Sequence, residues 1–206
     1  MNSAVDIPDW SRIPSPEDDG AVRHLTGIPM PSVVLPATDG TAINLASLSG
    51  LTAIYIYPRT GKPGVKNPPG WDLMPGARGC TVQACYFRDH FQELKSLGLA
   101  SLFGLSTQDS AWQREAVERL HLPFPLLSDQ HLRLAHAMRL PTFQADGQTL
   151  LKRLTLLLKD GFVEQVLYPV FPPDRSAADV AAWLAARKTT LIVSEPADAK
   201  KASPAK

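Results

Sequence analysis

Apolar residues along the chain fall into short runs of two kinds. Leu51-Thr-Ala-Ile-Tyr-Ile-Tyr57 and Leu99-Ala-Ser-Leu-Phe-Gly-Leu-Ser-Thr107 are nearly continuous apolar, β-branched and aromatic stretches, the pattern of strands buried on both faces. Between them, Ala84, Phe87, Phe91, Leu94 and Leu97 recur at helical spacing, with Arg88, Asp89 and Glu93 elsewhere on the turn. This predicts one amphipathic helix from Cys80 to a stop at Gly98. A second helix is expected over Ser110–Leu120, with Ser110 as its N-cap. An extended piece at Pro123–Asp129 leads to a helix at 130–138, and a last helix covers 177–186. Two hairpins carry Asp-Gly turns: one around Asp39-Gly40 within 32–45, the other around Asp160-Gly161 within 152–168.

The strand, helix, strand, helix, hairpin, helix order predicts an α/β fold, a central mixed β-sheet flanked by helices on both faces. Residues 1–27 form a proline-rich arm with Pro8, Pro14 and Pro16, expected to wrap a domain spanning 28–187. The segment from Lys188, ending in small and charged residues, is expected to be disordered over 188–206.

Composition narrows the function classes. A chain of 206 residues, 44% hydrophobic and 20% charged, suits one domain with a substantial core. A formal charge of +1 supplies no electrostatic reason to expect nucleic acid or a membrane surface as partner. The first residues show no basic start followed by an apolar run, and no stretch reaches the roughly 18 apolar residues of a membrane span. The expected location is the cytoplasm, where a close cysteine pair is more often reactive or metal-binding than a structural staple.

That pair is Cys80 and Cys85, the two cysteines of the chain, placed where the glycine-bearing run Pro75-Gly-Ala-Arg-Gly79 passes into a helix. A helix start presents unpaired N–H groups and the positive end of the macrodipole, which together favour a thiolate. In an intact helix, positions five apart hold their Cα atoms about 8–9 Å apart, beyond the roughly 7 Å limit of a disulfide. The two thiols therefore either never bridge or bridge only when the first turns unwind. Two buried, inert cysteines remain the plain alternative. Adding His90 does not make a metal set: steps of five residues turn the side chains to different sides of the helix. His24, His121, His131 and His136 are read as structural or surface groups, and Trp112 and Trp183 as packing residues on helices.

The segment 59–79 is a long loop rich in Gly and Pro, a feature that in compact domains tends to serve function.

These features together resemble the peroxiredoxins, in particular the peroxiredoxin Q or bacterioferritin-comigratory class of the redoxin-domain proteins. The resemblance rests on Tyr57-Pro58, Gly79-Cys80-Thr81-x-x-Ala84-Cys85-x-Phe87-Arg88-Asp89, Gly104-Leu-Ser106, Leu126-Leu-Ser128-Asp129 and Arg153-x-Thr155-Leu-x-Leu-x-x-Asp160-Gly161, in family order over about residues 28–186. It implies a thioredoxin-like fold and a thiol peroxidase without metal, haem or flavin. By position, Cys80 would attack a hydroperoxide, Cys85 would resolve the sulfenic acid as an intrachain disulfide, and Arg153 would be the active-site arginine. Thioredoxin or a similar dithiol would recycle the enzyme, a monomer or homodimer. The family motif Pro-x-x-x-Thr/Ser-x-x-Cys is broken: Ala77 stands three before Cys80, and residues 61–78 are inserted after Pro58. Thr60 is the expected source of the missing hydroxyl, and Trp71 in the insertion is a candidate lining of a substrate pocket or a partner surface, with an inert packed loop as the plain alternative. The competing readings are a thioredoxin-like disulfide reductase, against which the five-residue step between Cys80 and Cys85 argues because such proteins carry C-x-x-C, and a non-catalytic redox sensor or binding module.

Overall fold

A computed structural model describes residues 8–194. Its core is a five-stranded sheet formed by β3 (Leu51–Ile56), β4 (Leu99–Ser106), β5 (Leu126–Ser128), β8 (Leu154–Lys159) and β9 (Phe162–Leu167). The spatial order is β5-β4-β3-β8-β9, parallel from β5 to β3 and antiparallel from β3 to β9. The expected mixed sheet is thus observed, with both apolar runs at its centre. A small hairpin, β1 (Val34–Pro36) with β2 (Ala42–Asn44), turns at Asp39-Gly40 as its dipeptide predicts.

Alternate residues of β3 feed two cores, as the two-residue period of a strand requires. Ala53, Tyr55 and Tyr57 face α1 (Cys80–Asp89), α2 (Phe91–Ser96), α3 (Ser110–Leu120) and α5 (Ser176–Ser194). Ile54 and Ile56 face α4 (Arg133–Met138), the β1–β2 hairpin, Leu25 of the arm and Met30 just after it. On the first side Tyr55 stacks on Phe87 at 4.5 Å between ring centroids. Gly104 on β4 makes room for it: a β-carbon there would lie 2.6 Å from the Tyr55 hydroxyl. Glycine in the Gly104-Leu-Ser106 run is therefore a packing requirement.

Four sequence expectations need correction. The single helix from Cys80 to Gly98 is two: His90 leaves helical geometry at φ −91° and ψ 1°, its ring Nδ1 lying 2.8 Å from the Tyr86 carbonyl, and the helix restarts at Phe91. The N-cap of α3 is Asp109, whose carboxylate accepts from the Trp112 N–H at 2.7 Å, with Ser110 the first helical residue. A third hairpin was not foreseen: β6 (Thr142–Ala145) and β7 (Gln148–Leu151) turn at Asp146-Gly147, both at positive φ. Finally, the segment from Lys188 does not leave the fold at once. The last helix continues to Ser194, Thr189 and Thr190 donating back to the Ala185 and Ala186 carbonyls. Residues 195–206 of the expected tail lie outside the described residues.

The arm is fastened at two points. Asp19 accepts from Lys152 Nζ at 2.7 Å and from the Tyr168 hydroxyl at 2.9 Å, bonds that hold its carboxyl down at about 2. Nearer the start, Trp10 Nε1 donates to Asp174 at 2.8 Å and its ring meets Phe171 edge-on.

Candidate active site

The chain enters α1 through Gly79, in the left-handed region at φ 94°, with no side chain capping the helix. The amides of the first turn are thus left for whatever occupies the space in front of them. Gly79, Cys80, Thr81 and Val82 line a cleft of about 350 Å³ there, closed on its other sides by Arg59, Gly61, Asn67, Trp71, Asp72, Ala77 and Arg78. The inserted loop is therefore a wall of the cysteine cleft. Its anchor is Trp71, 5% exposed, in a small cluster with Ala77, Ala145 and Leu150. The unforeseen β6–β7 hairpin supplies two of those residues.

Cys80 is free and 4% exposed. Its Sγ lies 3.1 Å from Arg153 Nη2 and 3.6 Å from the Ala77 carbonyl. Arg153, two residues after β7 and just before β8, is buried beneath the loop. Its Nη2 also donates to the carbonyls of Gly76, Ala77 and Arg78 at 3.3, 3.4 and 2.9 Å. Such a fork both holds the end of the inserted loop and points a fixed positive charge at the sulfur. The arginine is itself held: Nη1 donates to Gln83 Oε1, while Gln83 Nε2 donates to Ser176 Oγ at 3.0 Å and Thr155 Oγ1 lies 3.5 Å from the same serine oxygen. Arg153 also borders a larger cavity of about 520 Å³ under the arm, which Cys80 does not line.

Cys85 is free and buried on the same helix, facing the core that contains Tyr55 and Phe87. Burial pushes its thiol above the usual range, an effect the nearby Arg88 guanidinium partly offsets. Both cysteines are reduced within an intact helix, as their spacing demands.

Thr60 is buried, and its hydroxyl donates to Gln108 Oε1 at 3.2 Å. Gln108 Nε2 and Trp112 Nε1 both donate to the Thr60 carbonyl, at 3.1 and 2.9 Å. The residue is thus fixed between Arg59 and Gly61 in the cleft wall, and in this conformation its hydroxyl bonds to Gln108. Trp112 does more than pack: it anchors Thr60 and lies under the Arg59 guanidinium, 5.4 Å from the ring centroid.

The structure thus brings Cys80 and Arg153 into contact, leaves Cys85 farther along the helix and holds Thr60 in the neighbouring wall. Sequence reasoning missed Gln83, Ser176 and Trp112. Gln83 carried a usable signal, since a glutamine three residues into a helix beside a cysteine would be buried with its amide needing partners.

Comparison with known proteins agrees with this geometry. The redoxin family model matches residues 25–183. The chain belongs to the redoxin family. Within it, the chain is 31% identical over 181 residues to the chloroplastic peroxiredoxin Q of Oryza sativa subsp. japonica, covering 84% of this chain and 75% of that protein. It is 35% identical over 101 residues to peroxiredoxin Bcp of Escherichia coli K12, covering 48% of this chain and 54% of that one. The crystal structure of peroxidoxin BcpB from Mycobacterium tuberculosis superposes with a TM-score of 0.64 at 27% identity, over 79% of this chain and 97% of that one. Peroxiredoxin Q of Xanthomonas campestris shares the fold, with a TM-score of 0.59 at 24% identity over 75% and 90% of the two chains. The resemblance to the peroxiredoxin Q and Bcp class and the thioredoxin-like fold expected from the motifs are both borne out.

Proposed function

We propose that this peroxiredoxin, a thiol-dependent peroxidase, uses Cys80 as the attacked thiol and Cys85 as its resolver. The observation that carries the assignment is the Arg153 guanidinium 3.1 Å from Cys80 Sγ, at the uncapped start of α1 and inside a cleft of small-molecule size. The Cys80 thiolate attacks the terminal oxygen of a hydroperoxide. The S–O bond forms as the O–O bond breaks, the leaving alkoxide or hydroxide takes a proton, and Cys80 becomes a sulfenic acid. Arg153 and the first-turn amides face the oxygens on which negative charge develops.

Cys85 then attacks the sulfenic sulfur, giving an intrachain disulfide and one water. Because a wound helix keeps the two positions too far apart, α1 unwinds at its start for this step. A dithiol, thioredoxin or a similar donor, reduces the disulfide by exchange. Thr60 is proposed to supply the hydroxyl that Ala77 lacks, by turning from Gln108 toward bound peroxide. A reducing compartment such as the cytoplasm suits two free thiols, and either a monomer or a homodimer accommodates a site built within one chain.

Intact mass under thiol-blocking conditions after one equivalent of peroxide tests this. The wild type is expected to lose two hydrogens, and Cys85→Ser to gain one oxygen on Cys80. Two unchanged thiols in the wild type would refute the assignment and leave a sensor role.

A further inference from the structure

Two arginines, Arg59 and Arg78, line the cleft in front of Cys80, and they differ in a telling way. Arg78 has a counter-charge, Asp72 Oδ1 at 3.3 Å from its Nε. Arg59 has none among the described residues: it makes no ion pair, and its Nε is buried without a hydrogen-bond partner. It is instead held by two indoles, its guanidinium carbon 5.9 Å from the Trp71 ring centroid and 5.4 Å from that of Trp112. Lys62, also without a carboxylate partner among the described residues, lies 5.7 Å from the Trp112 centroid. Aromatic faces compensate part of the desolvation of a cation but leave its hydrogen-bond donors unused. The fork of Arg59 is thus oriented, positive and unpaired in the wall of the cysteine cleft.

We propose that Arg59 is a specificity-determining residue that binds the carboxylate of an organic hydroperoxide whose O–O group lies at Cys80. The inference rests on the peroxidase reading above and narrows its substrate class to hydroperoxides carrying an acid group. A hydroperoxide group is neutral, so it supplies Arg59 with no counter-charge. A carboxylate on the same molecule matches the planar fork with two parallel hydrogen bonds, and the inserted loop, through Trp71, positions the arginine that receives it. The chemical step is unchanged: the O–O bond breaks, Cys80 becomes the sulfenic acid, and the product is the corresponding hydroxy acid.

The test uses the full-length reduced protein in single turnover, so that no reductant is involved. Rate constants for Cys80 oxidation are compared between a straight-chain carboxylic acid hydroperoxide and its methyl ester. Wild type is expected to favour the acid by about tenfold or more, the scale of one charge-assisted hydrogen-bond pair, with the preference shrinking as salt is raised. In Arg59→Gln the acid-to-ester ratio falls toward one, and Arg59→Lys keeps part of it. Equal rates for acid and ester in wild type, or an unchanged ratio in Arg59→Gln with a retained melting temperature, would overturn the proposal while leaving the peroxidase intact. Failure to oxidise Cys80 with either compound and with hydrogen peroxide would overturn the peroxidase reading and this proposal together.

Discussion

The indole of Trp10, in the N-terminal arm, rests on Gly79, the residue before Cys80: a β-carbon at Gly79 would lie 2.7 Å from Trp10 Cη2 and 2.6 Å from Pro173 Cγ. The arm therefore closes over the very turn that must unwind for Cys80 to reach Cys85. Gly79→Ala combines this overlap with a φ of 94° and is expected to destabilise the fold by about 1–3 kcal/mol. Denaturant titration would show it. Trp10→Ala relaxes the same contact, so at excess peroxide it should form more disulfide and less Cys80 sulfinic acid than wild type. Mass spectrometry reads both products, and an unchanged partition would mean that Trp10 does not govern unwinding.

Arg153→Met should slow oxidation of Cys80 by about a hundredfold or more, the scale of losing one positioned charge from a developing anion. Arg153→Lys should recover little, because one ammonium cannot serve Cys80, Gln83 and the loop carbonyls together. Single-turnover rates on both variants decide this, and full rescue by lysine would show that charge alone suffices.

Gln83 touches no substrate position but holds Arg153 and joins it to Ser176. Gln83→Met is expected to lower the rate about tenfold with the fold retained, and to displace the pH profile of Cys80 oxidation because the guanidinium loses its orientation. A uniform stability loss with an unmoved pH profile would reduce Gln83 to a structural role.

Thr60→Val removes the hydroxyl while keeping the side-chain shape. Peroxidase turnover should fall by about tenfold, as for loss of one hydrogen-bond donor, and Thr60→Ser should restore it. Full turnover in Thr60→Val would pass the role to Thr81 or a backbone amide.

Cys85 carries a pH dependence of definite sign. Burial raises its pKa in the wound helix, so that state binds the proton more tightly than the unwound one. The associated stability is fully present below the ordinary thiol value of about 8.5 and is lost as pH rises toward the raised folded value. Conversion of sulfenic acid to disulfide should therefore accelerate above about pH 8.5. Stopped-flow fluorescence across that range would detect it; a flat profile would place the rate limit elsewhere.

The β3 and β4 runs, the Asp39-Gly40 and Asp160-Gly161 turns, the helix start at Cys80 and the family motifs were all legible along the chain, because each depends on neighbours a few residues apart. Local signals also failed locally. Asp146-Gly147 carries the same turn dipeptide as the two recognised hairpins, but its flanking strands are only four residues each and the second, Gln148–Leu151, does not alternate. The break at His90 lies inside an unbroken run of helical apolar spacing, where His90 takes φ −91° and ψ 1° with its ring nitrogen against a carbonyl four residues back.

By itself the sequence determined much of the strand and helix order, the placement of the cysteine pair at a helix start and the fact that Cys80 and Cys85 cannot bridge in a wound helix, since spacing, propensity and helix geometry are properties of short segments. The tertiary structure alone decided that Arg153 meets Cys80 from 73 residues away, that Gln83 holds it, that the inserted loop walls the cleft and leaves Arg59 unpaired between Trp71 and Trp112, and that Trp10 covers Gly79. Those contacts join elements distant in the chain, and only packing against the shared sheet brings them within hydrogen-bonding range.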